Sequence, residues 1–72
     1  MALSTRNRLF GEITEVVKGD AAARVSIRVG DERMTALITR KSADELGLVP
    51  GQQITALIKA TDVMIMTEEG VA

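Results

Sequence analysis

The chain contains no cysteine, histidine, tryptophan or tyrosine, and only one phenylalanine and one proline. Each absence removes a class of function. Without cysteine there is no disulfide to staple a small fold and no thiol nucleophile. Without cysteine or histidine a zinc site would have to be assembled from carboxylates alone, whereas structural zinc sites are built from thiolates and imidazoles. The commonest general bases and nucleophiles are gone as well. The acids are scattered, so the sequence reads as a non-enzyme. With Phe10 as the sole aromatic residue, the stacking platforms of single-strand nucleic-acid binders are missing. Nothing approaches the ~20 consecutive apolar residues of a membrane span. The opening Met1-Ala2-Leu3-Ser4-Thr5-Arg6 lacks the apolar core of a signal peptide, which makes the cytoplasm the expected compartment.

What is present is an apolar, short chain. Its 72 residues make one domain, 1–72, with a core expected over about Leu3 to Thr67. Hydrophobic residues make up 46% and the mean hydropathy is +0.14. A domain this small buries only a modest share of its surface and usually needs a staple. With disulfides and zinc excluded, self-association is the expected one. Nine Lys and Arg stand against ten Asp and Glu, a net charge of −1, which is the wrong balance for a nucleic-acid partner.

Read in order, Leu9 to Lys18 is β-branched and apolar, a strand in which Gly11 marks a bulge or a close approach. Gly19-Asp20 is a turn. Ala23 to Val29 alternates: Ala23, Val25, Ile27 and Val29 face one way, Arg24, Ser26 and Arg28 the other. Gly30-Asp31-Glu32 is a hairpin loop and Arg33 to Thr39 the returning strand. From Thr39 to Leu48 the pattern changes to a short helix, capped by Thr39 or Ser42 and ended by Gly47 in the left-handed conformation. Val49-Pro50-Gly51-Gln52 is a tight turn, Gln53 to Lys59 a strand, and Val63 to Thr67 a final apolar strand, after which the tail should fray. The expected class is all-β with one short helix, as a five-stranded OB-like Greek-key barrel.

Three segments concentrate hydrogen-bond donors. Ser4-Thr5-Arg6-Asn7-Arg8 places Ser4 and Arg6 on one side of an extended strand and Thr5 and Asn7 on the other. A hydroxyl beside a guanidinium is a half-site for a tetrahedral oxyanion, because the planar fork grips two oxygens. Taken alone, however, a polar run near a terminus is better explained by solvation. Lys59-Ala60-Thr61 ends a strand with an accessible backbone, and alone it reads as an ordinary solvated lysine. Thr39-Arg40-Lys41-Ser42 opens the helix, where free N–H groups favour anions, though plain capping explains it equally. A dianion has to be held by several donors at once, so two or three of these segments would have to meet, within one chain or across copies.

The ordered combination resembles the molbindin (Mop) family and the related transport-associated OB domains. Ser4-Thr5-Arg6-Asn7 looks like the family's S-x-R-N opening. Gly11-Glu12-Ile13 and Val16-Val17-Lys18-Gly19 look like its first strand and turn, and Ile38-Thr39, Ser42 and Leu46-Gly47-Leu48 like its helix segment. Pro50-Gly51 and Ile58-Lys59-Ala60-Thr61-Asp62-Val63 resemble its closing pattern. The resemblance implies cytoplasmic storage or homeostasis of molybdate or tungstate, bound without catalysis and without an organic cofactor. It implies sites at subunit interfaces of a homo-hexamer, a trimer of dimers with exchanged strands. Carried over residue by residue, the oxyanion ligands would be Ser4, Arg6, Asn7, Thr39, Ser42, Lys59 and Ala60. One departure is the run Gly19-Asp20-Ala21-Ala22-Ala23, where many members have an Asn at the place of Ala22; sites around that turn are not expected. The competing reading is a small dimeric swapped-hairpin DNA-binding regulator, because Ile38 to Gln53 also fits that class's strand, short helix and L-G-L-x-P-G run; the net negative charge opposes it.

Overall fold

The computed structural model describes residues 6–72. Strand β1 spans Arg6–Lys18, β2 Ala22–Val29 and β3 Glu32–Thr39; helix α1 spans Arg40–Leu46, and β4 Gln53–Lys59. Two very short strands follow, β5 at Met66–Thr67 and β6 at Gly70–Val71. The fold is antiparallel, mostly strand with one short helix, and OB-like. The sheet order is β3-β2-β1-β4, so β1 is the shared strand. Its first half pairs with β4, from Arg6↔Lys59 to Glu12↔Gln53, and its second half with β2, from Glu12↔Arg28 to Lys18↔Ala23.

A β-bulge between Ile13 and Glu15 lets one strand serve two neighbours. An extra residue in one strand bends it and sharpens its twist. Gly11 is the close-approach point. A Cβ there would lie 2.7 Å from the Arg28 carbonyl oxygen and 2.8 Å from Ile27 Cγ2, so a side chain at this position would push β2 away from β1. The bulge itself falls at Thr14. β1 also begins three residues before Leu9. Arg6, Asn7 and Arg8 are not strand formers by composition; they are in the strand because β4 satisfies their backbone groups.

The alternation of β2 is realised as expected. Ala23, Val25 and Ile27 are buried, and Arg24 and Arg28 are exposed. Ile13, Val25 and Ile27 form the centre of the core, with Val16, Met34, Ile38 and Ile54 packed around them. The β2–β3 hairpin turns through Gly30, whose φ of +59° is a left-handed conformation that glycine adopts without penalty.

Helix α1 closes one end. Thr39 is its N-cap, its hydroxyl accepting from the Ser42 N–H at 3.0 Å, and Gly47 ends it at φ 62°, ψ 42°. Ala43 is fully buried. The helix is tied to the β1–β2 turn by polar contacts. Lys18 Nζ reaches Asp44 at 2.8 Å and Arg40 Nε reaches it at 3.1 Å; the Arg40 backbone N–H donates to the Ala21 carbonyl at 3.0 Å.

The end of the chain differs from expectation. Val63, Met64 and Ile65 are not in a strand, and the tail does not fray. Met66–Thr67 pairs instead with Gly70–Val71, and Ile65 and Ala72 exchange two backbone hydrogen bonds of 2.6 and 2.7 Å. The tail supplies its own pairing partner, which composition alone does not reveal. The fifth strand therefore does not close the sheet between β3 and β4. An open apolar cleft of about 370 Å³ lies there, with Met34, Ala36 and Ile38 on the β3 side and Ile54, Ala56 and Ile58 on the β4 side.

Candidate oxyanion site

Among the described residues the ladder between β1 and β4 runs as far as the pair Arg6↔Lys59. Residues directly opposite in an antiparallel pair share a face, with Cβ atoms about 5 Å apart. The two cations expected from separate segments are thus neighbours on one surface. Asn7 is placed differently. It pairs with Ile58, on the opposite face of the ribbon, and its Nδ2 donates to the Ile58 carbonyl at 3.3 Å. Asn7 therefore fastens the two strands that present Arg6 and Lys59.

Lys59 is also the last residue before a 3₁₀ turn, Ala60–Asp62. The first N–H groups of a helical turn have no partner inside it, so the Ala60 N–H, next to Lys59, is not used by the turn itself. The Val63 N–H closes the turn on the Ala60 carbonyl at 3.3 Å. Ser4 lies outside the described residues.

Thr39 and Ser42 sit elsewhere. Thr39 pairs with Ala22, beside the Lys18↔Ala23 end of β1. Arg6 is at the other end, twelve residues away along a strand that rises about 3.3 Å per residue. The Thr39 hydroxyl accepts from the Ser42 N–H and donates to the Ser42 hydroxyl at 2.8 Å. One chain therefore yields two groups: Arg6, Asn7, Lys59 and Ala60 at one end, Thr39 and Ser42 at the other.

Charge is distributed unevenly. Arg24 pairs with Glu15 at 3.9 Å, Arg28 with Glu12 at 2.8 Å, and both Lys18 and Arg40 with Asp44. The hydrogen bond from Lys18, with the positive charges of Arg40 and Lys18, holds the Asp44 carboxyl below its ordinary value of 3.8 despite opposing desolvation. Among the described residues no carboxylate pairs with Arg6, Arg8 or Lys59. Arg8 was not among the expected ligands. Its two-residue spacing from Arg6, once both are known to be in a strand, is the signal that places it on the same face. The basic residues of β2, which a DNA-binding reading would use, are already neutralised by β1. Among the described residues no helix is long and apolar enough to cross a membrane.

Two facing cations on a small antiparallel OB-like sheet suit an anionic ligand, and comparison with known proteins points to an anion-binding class of domain. The chain belongs to the TOBE domain family, whose model matches residues 3–65. Within that family its likeness is to the Mop proteins. It is 40% identical to "Molybdenum-pterin-binding protein 3" of Clostridium pasteurianum over 67 residues, 92% of this chain and 98% of that one. A molybdate-binding protein of Sporomusa ovata superposes with a TM-score of 0.86 at 37% identity, covering 93% of this chain and all of that one. The cytoplasmic molybdate-binding protein ModG, with molybdate bound, gives a TM-score of 0.73 at 34% identity over 79% of this chain and 41% of its own. These relatives are binding proteins. The DNA-regulator alternative is not favoured by them.

Proposed function

We propose that the chain binds molybdate or tungstate for intracellular storage and homeostasis, in the cytoplasm and without catalysing a reaction. The observation that carries this reading is the Arg6↔Lys59 pair, on a chain whose full-length relatives are named for molybdenum or molybdate. Arg6 and Lys59 neutralise the dianion; the Ala60 backbone, with Ser4, orients its oxygens. One cation about 4 Å from a unit negative charge contributes ~4 kcal/mol at an effective dielectric of 20, against the desolvation of the anion. A doubly charged ligand is therefore held by several charged and hydrogen-bonding donors together.

Thr39 and Ser42 join this site from another copy of the chain, in a homo-hexamer built from dimers with exchanged strands. Three features support that assembly. The β3 and β4 edges do not pair with one another, the cleft between them is apolar, and Met64, Ile65 and Met66 are exposed at 72%, 65% and 77%. A segment such as Val63 to Thr67 of a second copy has the composition to fill the gap. Residues 1–72 then act as one domain, with a core over about Leu3 to Thr67.

Calorimetric titration with molybdate, tungstate and sulfate, combined with solution mass, tests the reading. The expected result is saturable heat with the first two anions and a mass near six chains. Absence of heat with both, at millimolar anion, would overturn it.

A further inference from the structure

Arg6 and Lys59 do not stand alone on their face of the ribbon. The β1–β4 register places Arg8 opposite Leu57 and Phe10 opposite Thr55. By strand alternation Arg6, Arg8 and Phe10 share the face that carries Lys59, Leu57 and Thr55. Arg8 is therefore one step along from Arg6, about 7 Å away, and diagonal to Lys59 at roughly the same distance. It is exposed, and among the described residues neither a carboxylate nor a hydrogen-bond partner engages its guanidinium.

Lys18, Arg24, Arg28 and Arg40 are each matched to an acid, while Arg33 on β3 and Lys41 on α1 are unmatched but lie on separate elements. Glu12 and Glu15 are spent on β2, and Asp44 on the helix end. Asp62 is the acid nearest in sequence to Lys59 and forms no ion pair with it. In a chain of net charge −1, three cations are thus concentrated on one ribbon face. Like charges side by side on a sheet oppose folding, so this stripe is kept at a cost unless something anionic relieves it.

We propose that Arg8 is a third cation of the oxyanion site, acting at long range to capture dianions and to discriminate them from singly charged tetrahedral anions. This inference rests on the oxyanion-binding reading above. Arg8 stands one step beyond the directly opposed Arg6–Lys59 pair, and its part is that of added positive field, whose salt dependence sets it apart from a direct bond. A charge 7 Å from a dianion in water-like dielectric changes its binding about sevenfold, and that of a monoanion by about the square root of this, between two- and threefold. The effect is screened in 1 M salt, where the Debye length is about 3 Å.

The test compares the full chain with Arg8→Gln and Arg8→Lys, titrated with molybdate (charge −2) and perrhenate (charge −1, same tetrahedral shape) at about 10 mM and 1 M ionic strength. At low salt Arg8→Gln is expected to weaken molybdate several-fold and perrhenate less, lowering the ratio of the two about threefold. Arg8→Lys should retain the wild-type ratio, and the difference should vanish at high salt. Unchanged molybdate affinity in Arg8→Gln at low salt, or an equal loss for both anions that persists in 1 M salt, would overturn the role of Arg8. If wild-type protein binds no molybdate in the same titration, the oxyanion reading itself falls, and the assignment of Arg8 with it.

Discussion

Arg6 and Lys59 stand directly opposite each other in the β1–β4 ladder. A pair of like charges in this position is mildly destabilising, by roughly 0.2–1 kcal/mol, and becomes favourable only when an anion lies against both. Two opposite effects follow from one substitution. Arg6→Ala or Lys59→Ala should weaken molybdate ten- to a hundredfold, since a hydrogen bond to a charged group contributes about 1.5–3 kcal/mol and 1.4 kcal/mol is a factor of ten. Lys59→Gln should leave the anion-free protein as stable as wild type, or slightly more so. Calorimetry and urea unfolding without anion check the pair; an Arg6→Ala protein with wild-type affinity would remove Arg6 from the site.

Gly11 decides whether β1 can hold both neighbours. Its missing Cβ leaves room for the Arg28 carbonyl and Ile27 Cγ2, which would otherwise be 2.7 and 2.8 Å away. The nearer atom is backbone, so the clash cannot be relieved by a rotamer change. Gly11→Ala is expected to destabilise by about 1–3 kcal/mol, as overpacking does. It should do so by parting β1 from β2 while the β1–β4 ladder that carries Arg6 and Lys59 stays paired. Urea unfolding measures the first effect. Hydrogen exchange at Asn7 and Ile58, compared with Ile27, separates the two ladders.

Much of this was legible in the residues, for reasons that can be named. The clean alternation of Ala23 to Val29 made β2 visible, because burial on one face only writes a period of two into the sequence. Gly47 marked the helix end through its left-handed φ. The beginning of β1 was hidden because Arg6, Asn7 and Arg8 are there through pairing with β4, a contact fifty residues distant that no local pattern encodes. The C-terminal hairpin was hidden for another reason: its strands, Met66–Thr67 and Gly70–Val71, are two residues each, too short to write a period into the sequence. As for the site, residue types suggested Arg6 and Lys59 separately, but only register shows them adjacent. Asn7 was expected as a ligand by resemblance; its hydrogen bond to Ile58 adds a part in fastening the ribbon. The separation of Thr39 and Ser42 from Arg6 is a matter of topology.

Thr39 has one role in the isolated chain and, in the proposed assembly, a second. As N-cap it accepts from the Ser42 N–H at 3.0 Å. Thr39→Ala should cost about 1 kcal/mol of stability, and Thr39→Ser should restore most of it. If the hydroxyl also reaches an anion held by a neighbouring copy, Thr39→Ala will lose molybdate affinity as well, and Thr39→Ser will keep it. Thermal unfolding at several anion concentrations reports both quantities. Loss of stability with no change in affinity would confine Thr39 to capping.

Asp44 gives the helix end a pH dependence whose sign is fixed by its contacts. The Lys18 hydrogen bond comes first among the causes that lower its carboxyl, followed by the charge of Arg40. In the unfolded chain the group returns to its ordinary value near 3.8. A carboxyl lowered on folding contributes stability above the unfolded value, and that contribution disappears as the pH falls through the lowered native value. Asp44→Asn should therefore unfold more easily than wild type at pH 7, and the two unfolding curves should converge progressively below about pH 4. The contribution is small, because Lys18 and Asp44 are well exposed at 36% and 47% and exposed pairs are screened. Lys18→Met, which removes the leading cause, should raise the Asp44 titration midpoint observed by carboxyl-carbon NMR. An Asp44 midpoint unmoved by Lys18→Met would mean that Arg40 alone sets it, and that the contact between β1 and α1 contributes nothing in solution.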